Sequence, residues 1–150
     1  MRRLSPFLLL VAACVPMRHD AGSSWTLSDP SGKATSCAIA ATPAEWRRLR
    51  AVLGPEAAAV PEPPCDFVGT RVVVAWLRGL CVSPPVAVQT GTEEGVTVVT
   101  LVPNVRAEAG ERTLVHVFVV AECPGQLAVV ATLPDGAHGR EQTLAVFPRH

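Results

Sequence analysis

Arg71-Val72-Val73-Val74-Ala75-Trp76-Leu77 is the stretch on which the reading of this fold turns. Six of the seven residues are apolar and three consecutive ones are β-branched. A run this short and this continuously apolar reads as a strand buried on both faces. Working outward toward the C-terminus, residues 85–90 and 96–102 form a second and third strand about the turn Gly91-Thr92-Glu93-Glu94-Gly95, a hairpin with a longer loop. Residues 113–121 alternate, with Leu114, His116, Phe118 and Val120 on one face and Val115, Val117 and Val119 on the other. Residues 127–133 and 143–147 complete the set, separated by Asp135-Gly136-Ala137-His138-Gly139.

Toward the N-terminus, four prolines between residues 55 and 64 mark a connector rather than a domain boundary. Ahead of it stands Thr42-Pro43-Ala44-Glu45, the pattern of a capping box: the threonine hydroxyl accepts from the glutamate amide while the glutamate carboxylate reaches back. Pro43 falls at the first helical position, where its missing N–H costs nothing. Trp46, Leu49 and Leu53 then share one helical stripe, Arg47, Arg48 and Arg50 lie mostly off it, and Gly54-Pro55 stops the helix. The spacing predicts a helix over about 43–53 with Trp46 in the core, preceded by a short strand over 35–41. The order strand, helix, then about six strands predicts an α+β domain, an antiparallel sheet or small β-sandwich carrying one early capped helix.

The first residues belong to a different kind of segment. Arg2 and Arg3 precede a short apolar run over 4–11, and Ala12 and Ala13 lead to Cys14. A charged start, an apolar stretch and small residues before a cut site make a signal peptide, and the stretch falls short of the about 20 apolar residues a bilayer span needs. The run Leu10-Val11-Ala12-Ala13-Cys14 resembles the lipobox of bacterial lipoproteins. That resemblance implies a diacylglyceryl thioether on Cys14 and removal of residues 1–13. The alternative is ordinary secretion, with cleavage after the small pair and Cys14 left as a thiol. In enteric bacteria an aspartate after the lipidated cysteine retains a lipoprotein at the inner membrane. Val15 and Pro16 stand there instead, which favours the outer membrane.

Residues 15–33 read in two ways, as a tether between lipid and domain or as a terminal loop with Trp25 and Leu27 in a short edge strand. The division expected is therefore a signal peptide over 1–13, lipidated cysteine and tether over 14–33, and one β-rich domain over 34–150. With Cys14 set aside, Cys37, Cys65, Cys81 and Cys123 remain, an even set that in an exported chain implies two disulfides with three available connectivities. The pairing favoured is Cys81 with Cys123 and Cys37 with Cys65. No C-x-x-C spacing occurs, so neither a redox pair nor a zinc knuckle is indicated.

Composition excludes more than it assigns. Thirteen Lys and Arg balance thirteen Asp and Glu, and tyrosine is absent, so nothing points to nucleic acid. Of seven serines only Ser36 and Ser83 fall in the expected domain, and no G-x-S-x-G elbow or phosphate-binding glycine loop appears. His19, His116, His138 and His150 are scattered, and no metal-ligand spacing or cofactor motif is present. A catalytic centre would have to be assembled from distant residues, with His116, Glu122 and Asp66 its first suspects. The expectation is a binding or accessory domain without catalytic residues or cofactor. The alternatives are a secreted hydrolase or inhibitor, and a purely structural envelope protein.

One further likeness bears on the partner. Thr42-Pro43-Ala44-Glu45-Trp46-Arg47-Arg48-Leu49, then Pro64-Cys65-Asp66-Phe67, then Val72-Val73-Val74-Ala75-Trp76-Leu77 resemble the C-terminal domain of the PrcB-like protease-complex accessory family. The family's glycine-glycine-tyrosine-like turn after that strand is replaced here by Arg78-Gly79-Leu80-Cys81-Val82-Ser83-Pro84-Pro85. The resemblance implies a fold more than a function, and a partner that is a protein of the cell envelope, a protease among them.

Overall fold

The computed structural model describes residues 22–26, 34–59, 61–80, 82–106, 110–122, 125–135 and 138–148. Among these, eight strands form two four-stranded sheets. The first holds β1 (Ser23–Thr26), β2 (Ser36–Ala40), β3 (Thr70–Leu80) and β6 (Glu111–Ala121) in the order β1-β6-β3-β2, every neighbour antiparallel. The second holds β4 (Val82–Glu93), β5 (Val96–Val105), β7 (Leu127–Asp135) and β8 (His138–Phe147) in that order. One pair in it, β5 with β7, is parallel. An all-antiparallel arrangement was the sequence expectation; the exception arises because β6, between them in the chain, belongs to the other sheet. The chain thus leaves and re-enters the second sheet in the same direction.

The valine run of β3 explains the layering. Its odd residues Val73, Ala75 and Leu77 join Leu114, Phe118 and Val120 of β6 against Val86, Val99, Leu101, Leu127, Val129 and Ala131 of the second sheet. Its even residues Val72, Val74 and Trp76 face the other way, with Val115 and Val117, onto Trp46, Leu53 and Ala57. A strand continuously apolar in sequence is thus covered by a sheet on one side and a helix on the other, and the alternation expected along 113–121 is the one observed.

The helix, α1 (Pro43–Val52), lays that stripe on the sheet, with Leu49 half-buried between Trp46 and Leu53. The Glu45 amide donates to Thr42 Oγ1 at 3.2 Å, and Glu45 Oε2 accepts from the Ala41 amide at 2.7 Å. Gly54, at φ +77°, turns the chain into a short 3-10 segment, Pro55–Ala59.

Three expected boundaries move. The connection between β4 and β5 is a two-residue turn at Glu94 and Gly95 (φ 48° and 81°), not the five-residue loop expected. Paired positive φ values match the right-handed twist of flanking strands, so Gly91, Thr92 and Glu93 stay in the ladder. β4 begins at Val82 rather than residue 85, because the Pro84-Pro85 step is absorbed as a bulge between Ser83 and Val86. Ser23–Thr26 pair with Leu114–Val117 of β6, so the domain reaches back ahead of the expected boundary at 34. That strand satisfies an edge of β6 that would otherwise present unpaired amides and carbonyls. Gly22, at φ +77°, permits its approach: a Cβ there would run into the Val117 carbonyl oxygen.

Candidate functional site

The densest polar grouping among the named suspects lies at one end of the β3–β6 pair, where the proline connector delivers Cys65 to Thr70. Asp66 organises this turn. Its Oδ1 accepts from the Thr70 hydroxyl at 2.7 Å and from the Val68 amide at 3.0 Å. These two bonds, the Thr70 one first, hold the carboxyl below its ordinary range even though the group is exposed. Phe67 takes a left-handed conformation, φ 59°, which costs a side-chain-bearing residue roughly 1–2 kcal/mol. The half-buried ring packs against the cluster beneath α1, which offsets that strain. Cys65 Sγ lies 3.3 Å from Thr70 Oγ1. Because the threonine proton goes to Asp66, the thiol is the donor. The chain thiol, hydroxyl, carboxylate closes the turn and leaves the Asp66 oxygen occupied by two donors.

Glu122 continues the β6 ladder by one residue, its amide donating to the Gly69 carbonyl at 2.8 Å. Its carboxylate pairs with Arg71 at 3.3 Å. Arg71 follows the alternation of Val73 and Ala75, so this ion pair sits on the rim between the sheets. Asp66 and Thr70 are on the helix-bearing side. His116 is elsewhere again, buried between the sheets and stacked on Phe118 with ring centroids 5.3 Å apart. It stands opposite Ala75, five residues along β3 from Thr70, or about 17 Å. Asp66 thus lies on the helix-bearing side, while His116 and Glu122 share the inter-sheet face six residues, or about 20 Å, apart along the β6 line, and the geometry joins none of the three suspects to another.

The sequence did not single out the cross-strand ion pairs. Arg71 with Glu122 and Arg78 with Glu111 (3.1 Å) bracket the two ends of the same ladder. The available sign was a charged residue flanking each apolar run with opposite polarity, legible only once the two runs are known to pair. Glu93 and Glu94 are exposed at the hairpin tip and line an open hollow with Val96 and Val98. Among the described residues, no group of three or more His, Cys, Asp or Glu is placed to hold a metal ion, and no helix is long and apolar enough to cross a membrane.

The cysteines separate by face. Cys37 lies opposite Ala75 and packs into the layer between the sheets, whereas Cys65 packs under α1. Both are free thiols. The bond expected between them is therefore not formed, because β2 and β3 stand between the two side chains. Cys14, Cys81, Cys123, His19 and His150 lie outside the described residues, as does the His138 side chain. No family model matches this chain, and neither a curated protein nor a solved structure does.

Proposed function

We propose that this chain is an exported bacterial lipoprotein, anchored through a diacylglyceryl group on Cys14, whose sandwich is a non-enzymatic binding or accessory domain of the cell envelope. The observation that carries this reading is the run Leu10-Val11-Ala12-Ala13-Cys14 behind a charged start and a short apolar stretch. Each buried acyl CH₂ contributes roughly 0.8 kcal/mol, so two or more chains hold a soluble domain stably on a bilayer. With β1 beginning at Ser23, the chain from Cys14 to Gly22 extends about 30 Å at most. A domain tethered that closely works on partners at the membrane surface. The separation of His116, Asp66 and Glu122, the first and last about 20 Å apart along one face and Asp66 on the other, supports the non-enzymatic part, and no cofactor enters it. The partner is a protein, and the PrcB-like resemblance makes an envelope protease the first to try. Outer-membrane placement follows from Val15 and Pro16 where an aspartate would retain the chain.

The test is the intact mass of the full-length gene product extracted from membranes, wild type beside Cys14→Ser. A wild-type chain starting at Cys14 and carrying diacylglycerol, with the variant left unprocessed, supports the anchor. A soluble wild-type chain with an unmodified thiol overturns it and brings secretion forward. Affinity capture from solubilised envelopes tests the partner, and recovery of nothing above background removes that part of the proposal.

A further inference from the structure

We propose that the outer face of the second sheet is a self-association surface, on which a second copy of this chain packs about a twofold axis running across the strands. Val99 and Leu101 of β5 and Val129 and Ala131 of β7 fill the layer between the sheets. By alternation Val98, Thr100 and Val102, and beside them Ala128, Val130 and Thr132, face outward. A sheet with one solvated face ordinarily turns polar and charged side chains to it. Over this span the two central strands turn only valine, threonine and alanine outward, and opposite Ala128 the edge strand β8 adds Val146, 52 % exposed. On the first sheet the corresponding face is covered by α1, whereas no described helix or strand lies over this one.

Area and charge both select a second copy as the occupant. Four strands about 4.8 Å apart, followed from Val96 to Asn104, give about 500 Å² of face before side-chain relief is counted. Two copies together therefore bury about 1,000 Å² or more, the area at which a stable interface begins. Such faces pack about 10 Å apart with their strands within about 30° of each other.

Charge fixes the orientation. Exposed Glu93 and Glu94 line an open hollow with Val96 and Val98 at the hairpin end of the face. Arg106 is exposed too, follows β5 directly at its opposite end, and belongs to none of the three described ion pairs. Val96 and Arg106 stand ten residues apart, about 34 Å along the strand line. A twofold parallel to the strands would set the two acidic hollows against each other. A twofold across them, passing near Leu101, lays each β5 over its copy in reverse. That arrangement brings the partner's Arg106 to the hollow, and by symmetry the contact is made twice.

Sedimentation equilibrium of the full chain at micromolar concentration tests this. Cys14→Ser serves as the parent so that no lipid contributes to association, and reductant excludes intermolecular disulfides. The outcome is then independent of the proposed anchor. The expected parent mass is twice that of the chain. Val130→Lys sets two unpaired charges near the twofold and should weaken association at least about a hundredfold, to a monomer. Thr100→Lys, at a position already polar, should do the same, and far-UV circular dichroism checks that each variant is folded. Arg106→Glu should weaken the dimer about fivefold, and Glu93→Arg added to it should restore the parent value. A monomeric parent overturns the proposal, as does a dimer that survives the folded lysine variants. A dimer broken by lysine but unmoved by the charge exchange overturns the axis across the strands.

Discussion

At the scale of single residues, two groups have protonation behaviour that the fold imposes. Burial between the sheets pushes the Cys37 thiol up to about 12. At pH 8 its thiolate fraction is on the order of one in ten thousand, so in the reduced native protein Cys37 should be alkylated far more slowly than in the urea-unfolded chain. Equal rates in the two states would show the thiol is not buried. The raised value also means that this contribution to stability is full below the ordinary thiol pKa and falls as pH rises from there toward 12. Asp66 behaves in the opposite sense. Bonds from Thr70 and Val68 depress its pKa, so its contribution is present above the unfolded carboxylate value and is lost as pH falls through the lower folded one. Asp66→Asn should therefore flatten the acid limb of a urea-midpoint profile below about pH 4, the unfolded carboxylate value, and an unchanged limb would mean the turn does not depend on the charge.

At the scale of elements, the docking of α1 rests on one large side chain. Trp46 is 7 % exposed, and its indole N–H donates to Glu62 Oε2 at 2.8 Å. Trp46→Ala should cost about 3–5 kcal/mol in a denaturant melt, through lost area and the cavity left above Val74 and Val115. The ion pair between Arg50 and Glu62 is a partly exposed surface contact worth about 0–1 kcal/mol. A Trp46→Ala loss below about 1 kcal/mol would show that the helix is held by something other than its stripe. In the β4–β5 hairpin, Glu94 occupies a left-handed position that asparagine adopts more readily. Glu94→Asn should raise stability by up to about 1 kcal/mol, and a lowered thermal midpoint would refute that reading of the turn.

At the scale of the whole molecule, the two sheets share the layer centred on Phe118, Leu101 and Leu77, each with no exposed surface. The parallel contact of β5 and β7, reached through β6, interlocks the sheets along the chain as well as across the layer. Phe118→Ala should therefore cost about 3–5 kcal/mol and lower the thermal midpoint of both sheets together. Separate transitions by tryptophan fluorescence and far-UV circular dichroism would show that the sheets unfold independently. The outer side of the first sheet is covered by α1 and the proline connector, which concentrates its three described ion pairs at the ends of strands and beside the helix.

The sequence by itself determined what is local and periodic. The stripe of Trp46, Leu49 and Leu53 placed the helix. The unbroken valines of 72–74 marked a strand covered on both faces, and the alternation of 113–121 named which residues faced which way. The run ending at Cys14, on which the functional proposal rests, is likewise linear, because a signal peptide would be read by machinery as a string of residues. The tertiary structure alone decided the division of strands between two sheets, the parallel pair, and the recruitment of Ser23–Thr26 to the edge of β6. It also decided that His116, Asp66 and Glu122 stand apart, and that Cys37 and Cys65 lie on opposite faces. The physical reason is common to all of these. Strand pairing joins residues tens of positions apart, and each one-residue change of register moves every side chain to the other face, so only the assembled ladders determine which distant groups meet.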